Sequence, residues 1–223
     1  MFNLYNMEEK ALKILEILKK EYPKYNKPVS TYFQDTTNNS FKVLISTILS
    51  PRAKDSQTEK VSKALFEIAD TPEQIVKLKE EQLEKIVYSI GFYKVKSKRV
   101  KQACLYLIKY HKSEVPKSLE ELTKIPGVGR KVANIILAEC FNIPAIAVDT
   151  HVMTISIRLG FVKKRTPLKV EKALMNLFPS NKWKEINKVL VAHGQNICTP
   201  LYPKCSVCPI YSYCPRNGVN KHR

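Results

Sequence analysis

Two groups of residues in this chain have types and spacings that do chemistry. In LTKIPGVGRKVANIILAECFNIPAIAVDTH, from Leu122 to His151, Lys131 and Asp149 stand 18 residues apart behind a Pro-Gly-Val-Gly turn. A lysine at the start of a helix serves as a phosphate-contacting cation or, as the neutral amine, as a nucleophile. An aspartate ahead of Thr-His-Val serves as a helix N-cap, and in an apolar neighbourhood it is also an anion placed to stabilise developing positive charge. Nearer the C-terminus, Cys198, Cys205, Cys208 and Cys214 form C-x6-C-x2-C-x5-C in a short, basic, Pro-rich tail. In an intracellular protein such a cluster favours a metal centre over disulfides. Four thiolates hold either zinc or an iron-sulfur cluster, and ligand chemistry alone does not choose between them. Cys104 and Cys140 fall on apolar helix faces, where they fill core space as small hydrophobes.

Positioning these groups is a task for helices. Ser118 and Glu121 have capping-box spacing and open a short helix that Pro126 and Gly127 must end, and a second helix begins just past Gly129. In the turn Gly127-Val128-Gly129-Arg130 the glycines allow positive φ and close backbone approach. The amides and positive dipole end of the second helix can hold a phosphate there without reading a base. Elsewhere the apolar period is helical. A stripe through Leu12, Ile14, Leu15, Ile17 and Leu18 predicts a first helix after Asn6, with Glu9 completing a capping box. Further helices are predicted over 41–49, 58–68, 81–90, 97–110, 130–141, 148–159, 168–178 and 183–193. Internal repeats, low-complexity tracts and long linkers are absent from the sequence.

Composition sets the remaining bounds. With 223 residues, 44% of them hydrophobic, the chain can bury one substantial core or two small ones. Apolar runs are too short to span a bilayer, and Glu8 and Glu9 stand where a secretory leader would be basic and apolar, so no membrane partner and an intracellular protein are expected. A net charge of +18, from 38 Lys+Arg against 20 Asp+Glu, points to a polyanion such as nucleic acid.

The segments IPGVGRKVAN at 125–134, AVDTH at 147–151, LISTILSPRAKD at 44–55 and SIGFYKVK at 89–96, with the terminal cysteines, resemble the endonuclease III group of helix-hairpin-helix DNA glycosylases over nearly the whole chain. That resemblance implies an all-α, two-lobed fold. A six-helix lobe would run from 33 to 143, and 1–32 would join 144–223 as a second lobe whose cysteine loop carries a [4Fe-4S] cluster rather than the alternative zinc. Lys131 and Asp149 would face each other across the cleft. The implied protein is a monomer of the cytoplasm or nucleoid that acts on double-stranded DNA containing damaged bases or abasic sites. It removes oxidised pyrimidines and then cleaves the strand as an AP lyase.

For that reaction, detaching a base builds positive charge at the anomeric carbon, which calls for a nucleophile and an anion. Lys131 is assigned as the nucleophile; attack requires the neutral amine, which burial, nearby basic residues and the positive helix end would each favour. Asp149 is assigned to charge stabilisation and to accepting a proton from the nucleophile. His151 is expected to make a structural hydrogen bond rather than to transfer a proton. Flipping the damaged nucleotide out leaves a gap. The resemblance places Arg52 in that gap, where the group usually has another polar residue, and Phe92 beside it as a wedge, with ordinary core packing the alternative for Phe92. Lys204 is offered to the DNA backbone, while Lys94, Lys96, Lys98, Arg99 and Lys101 read as a solvated charged face. Two other functions compete: a monofunctional adenine-type glycosylase, a branch that lacks the lysine, and a non-enzymatic helix-hairpin-helix DNA-binding module.

Overall fold

The computed structural model of the chain describes residues 2–25, 27–163 and 166–223, and among these every regular element is helical. The α-helices are α1 (Phe2–Glu21), α2 (Val29–Thr37), α3 (Ser40–Leu49), α4 (Asp55–Ile68), α5 (Pro72–Lys77), α6 (Glu80–Val87), α7 (Tyr93–His111), α8 (Leu119–Lys124), α9 (Arg130–Cys140), α10 (Thr150–Arg158), α11 (Pro167–Leu177) and α12 (Trp183–Asn196). The chain divides into two compact units, Pro28–Ile143 and Met1–Lys27 with Pro144–Arg223. The first division falls at 27/28 rather than 32/33, because α2 begins at Val29 and packs on α3. Among the described residues no helix is long and apolar enough to cross a membrane.

In the unit Pro28–Ile143, α3 is the axis. Phe41 and every residue from Val43 to Leu49 are buried, so the helix is covered nearly all round, as a central helix must be. Asn39 caps it by accepting hydrogen bonds from the amides of Phe41 and Lys42, and α2, α4, α7 and α9 pack around it. Leu44, Ile45 and Leu49 are fully buried. Each such side chain contributes about 1.5–3 kcal/mol relative to exposure.

The other unit gathers α1, α10, α11 and α12. The stripe Ala11, Ile14, Leu15, Leu18 on α1 belongs to one buried cluster with Val152, Ile155 and Leu159 of α10, Val170 and Leu174 of α11, and Ile186, Val189 and Leu190 of α12. The expected cap at Asn6 does not form, because α1 already begins at Phe2. No Gly or Pro precedes Asn6, and carrying a helix through one asparagine costs only about 0.7 kcal/mol.

Candidate active site and cysteine centre

The hairpin begins as expected. Ser118 caps α8, its hydroxyl accepting from the Glu121 amide at 3.2 Å. The Glu121 carboxylate does not close the box but takes Lys124 at 2.7 Å. Gly127 turns the chain at φ +86°, and a Cβ there would lie 3.3 Å from Cβ of Arg99, so both conformation and the crossing over α7 favour glycine. Gly129 differs from expectation: its φ is −93°, and a Cβ would meet nothing within 4 Å. As the N-cap of α9 it takes extended backbone that any residue adopts, and no side chain caps the helix. The small residue thus leaves the start of α9 open. Val128 is buried beneath the turn, while Arg130 and Lys131 are exposed in the first turn of α9. Of the influences that would favour the neutral amine of Lys131, burial is therefore not found.

Within the same unit, the loops after α3 and before α7 meet. Arg52 (φ +58°) and Phe92 (φ +60°) both hold left-handed backbone, which costs a non-glycine residue about 1 kcal/mol or more. The Arg52 guanidinium lies 5.1 Å from the centre of the Phe92 ring. A Cβ on Gly91 would stand 3.6 Å from the Arg52 carbonyl, so the two backbones run close together. Phe92 is 59% exposed, which rules out the core-packing alternative. One turn along α7 the solvated face is broken: Lys96 is buried, its Nζ has no hydrogen-bond partner among the described residues, and burial pushes its pKa down. Lys94, Lys98 and Arg99 are exposed, and Lys101 donates to the Leu78 carbonyl at 2.7 Å.

Asp149 lies in the other unit and caps α10, accepting the Val152 amide at 2.8 Å on Oδ1. Its second oxygen has no hydrogen bond among the described residues, and the side chain is half-buried at the end of the buried run Ala145–Val148. Asn187 of α12 anchors this run by donating to the Ala147 carbonyl at 2.7 Å. His151 does not make the hydrogen bond expected of it among the described residues. Its ring instead lies on the α12 backbone, so that a Cβ at Gly194 would sit 2.6 Å from its Nδ1. That close approach is why α12 carries a glycine in its buried last turns.

The cysteine loop follows α12. It contains only two short 3-10 turns, Cys205–Val207 and Tyr211–Tyr213, and is tied by main-chain bonds such as Cys198 N–H to the His193 carbonyl (2.8 Å) and Lys204 N–H to the Ile197 carbonyl (2.9 Å). Cys198, Cys205, Cys208 and Cys214 are all free thiols and line one cavity, together with Arg158, His193 and Ile210. Among the described residues no three metal-binding side chains converge tightly enough to share one ion. Burial, with the neighbouring thiols adding to it, pushes Cys205 and Cys214 up and Cys208 up to about 11. Lys204 is exposed on this loop.

Two residues at this centre were not singled out from the sequence. Burial pushes His193 down to about 4, so its imidazole is neutral, and Nε2 stands 3.7 Å from Sγ of Cys208. Arg158 is buried and donates to Cys198, Thr199 and Pro200. The available signal was a cation on the otherwise apolar face Val152, Ile155, Leu159, which needs buried acceptors.

Comparison with known proteins gives a consistent answer. Residues 45–180 match the HhH-GPD superfamily of base excision DNA repair proteins. Endonuclease III of Thermotoga maritima is 48% identical over 174 residues, covering 78% of this chain and 82% of the relative. Two solved structures are similar throughout. A non-covalent complex of endonuclease III with DNA is 35% identical with a TM-score of 0.85, covering 94% of this chain and 95% of that one. A trapped covalent intermediate of endonuclease III with DNA is 34% identical with a TM-score of 0.83, covering 94% and 96%.

Proposed function

The chain belongs to the endonuclease III family of HhH-GPD base excision repair proteins, DNA glycosylases and AP lyases for oxidised pyrimidines, and we propose that Lys131 is its nucleophile and Asp149 its charge-stabilising carboxylate. The observation that carries this reading is the exposed amine of Lys131 in the first turn of α9, directly behind the glycine turn, on a chain of net charge +18. The trapping of a relative covalently on DNA supports an amine in that role.

In the reaction, Nζ forms a bond to C1′ of the deoxyribose as the bond to the base breaks, the base leaving with the electron pair and taking up a proton. The sugar ring then opens to an iminium. Loss of a C2′ proton forms the C2′–C3′ double bond and breaks the C3′–O bond, which releases the phosphate and leaves the strand cut. Asp149 stabilises the positive charge at C1′ and accepts the proton that Nζ loses. Its N-cap bond to Val152 uses Oδ1 and leaves the second oxygen for that work. The open start of α9 and Arg130 hold backbone phosphate, with Gly127, Val128 and Gly129 shaping the turn. Arg52 and Phe92 fill the gap left by the flipped nucleotide, and Lys204 contacts the backbone from the cysteine loop.

The four cysteines fit a [4Fe-4S] cluster: they are all thiols, they line one cavity, and its lining is largely apolar. When bound, such a cluster cross-links a loop that has little core of its own. Iron and acid-labile sulfide analysis of the purified protein is expected to find about four of each per chain; zinc in their place would overturn the assignment.

Borohydride in the presence of duplex DNA with a single oxidised pyrimidine reduces the iminium to a stable amine. The expected result is a covalent adduct with the native protein and none with Lys131→Gln. An undiminished adduct in that variant removes Lys131 from the role. Base release by the native protein with no adduct makes it a monofunctional glycosylase, and DNA binding with neither leaves a binding module.

A further inference from the structure

We propose that Arg158 is both the clasp and the counter-cation of the cysteine centre, an inference that rests on the iron-sulfur assignment above. Its Nη1 donates to the carbonyls of Cys198 (3.1 Å) and Thr199 (2.8 Å) and stands 3.1 Å from Sγ of Cys198, while Nη2 donates to the carbonyl of Pro200 at 2.7 Å. The main-chain carbonyl of the same residue accepts from the Asn217 amide at 3.2 Å and lies 3.5 Å from Sγ of Cys214. One residue at the end of α10 therefore grips both the first and the last ligand segments of the loop. The planar fork of a guanidinium suits a run of three successive carbonyls as a single ammonium does not.

The charge carries a second argument. Arg158 is 6% exposed, and among the described residues its side chain meets no carboxylate. A buried cation without an anion is costly. Carbonyl dipoles lower that cost without neutralising the charge, whereas four cysteines that ionise on binding metal bring negative charge to the same cavity. An N–H to sulfur bond from a cation also withdraws electron density from the ligand, which stabilises the electron-richer state of a cluster.

The test uses the full-length, metal-loaded protein with Arg158→Lys and Arg158→Gln. It reads the rate at which an iron chelator bleaches the visible absorbance, and the reduction potential of the centre. Arg158→Lys keeps the charge and loses the fork, so release is expected to be about tenfold faster or more with the potential near that of the parent. Arg158→Gln loses both, giving faster release and a lower potential. Release at the parent rate in both variants overturns the clasp, and equal potentials in all three proteins overturn the counter-cation. If Arg158→Gln does not fold, Arg158→Lys decides: unchanged release sinks the proposal. Absence of iron and sulfide from the parent instead defeats the iron-sulfur assignment, a separate result.

Discussion

The α8–α9 hairpin and the cysteine loop are both short irregular segments that carry reactive side chains, and they are held in opposite ways. The hairpin is pinned by apolar anchors on either side of its turn, with Leu122, Ile125, Ala133 and Ile136 at 0–1% exposure. Its own sequence supplies the cap, the turn and the anchors. The loop buries few apolar side chains, Ile210 among them, and relies on main-chain bonds and on Arg158, some 40 residues away in sequence. Hydrophobic anchoring tolerates exposure of Lys131, because the anchors do not include that side chain. Polar anchoring is more exacting, because Arg158 and the main-chain groups that hold the loop lie directly beside the thiols proposed to bind metal.

This contrast can be broken or sharpened by substitution. The largest effect is expected from Asp149→Asn, which removes the charge and keeps a side chain equally able to cap α10. Base release should fall by about 10²–10⁴-fold in single-turnover kinetics with little change in Tm. A large drop in Tm would show that the carboxylate is chiefly structural. Next, Leu44→Ala in the largely buried α3 should cost about 2–5 kcal/mol in urea unfolding. Iron chelation should not reproduce that loss, since the hairpin unit holds itself by apolar packing.

Lys96→Met should go the other way, stabilising the fold by about 1–3 kcal/mol through removal of an unpaired buried ammonium. The Lys96 pKa lies lower in the folded state than in the unfolded chain, which therefore holds more protons between the two values. Stability of the native protein rises with pH across that window, and the advantage of Lys96→Met should shrink as pH approaches the ordinary lysine value. An advantage independent of pH would place the gain in packing alone. The smallest effect on stability, a few tenths of a kcal/mol or about none, is expected for Gly129→Ser, because a Cβ meets nothing there and serine is a good cap. Its effect should appear in DNA affinity, equally for all sequences, since the serine hydroxyl would occupy amides proposed to hold phosphate. Unchanged affinity would take the open start of α9 out of the phosphate site.

What could be read from the sequence follows the same division. Ser118, Gly127 and Asp149 act through neighbours three or four residues away, so their spacing revealed a cap, a turn and a second cap. Helices α2 and α5 lie outside the predicted helices: VSTYFQDTT shows no clean apolar stripe, and the Thr71–Gln74 capping box with Pro72 opens a helix of a single short stretch. Arg158, His193, Gly194 and Lys96 are not legible from local spacing, because their environments come from distant segments. Lys96 shows the limit of local charge reading, since its neighbours Lys94 and Lys98 are solvated and only the packing of α7 decides which lysine turns inward.

The Arg52–Phe92 stack has a kinetic consequence. A free arginine gives up about 2 kcal/mol of rotamer freedom when it is immobilised. Resting on the ring, Arg52 is already ordered in part when the chain folds, so in the role proposed for it a sliding duplex would meet a stiff edge instead of a loose tether. During the brief stay at each base step, such an edge would lose little further freedom on entering the gap proposed for it.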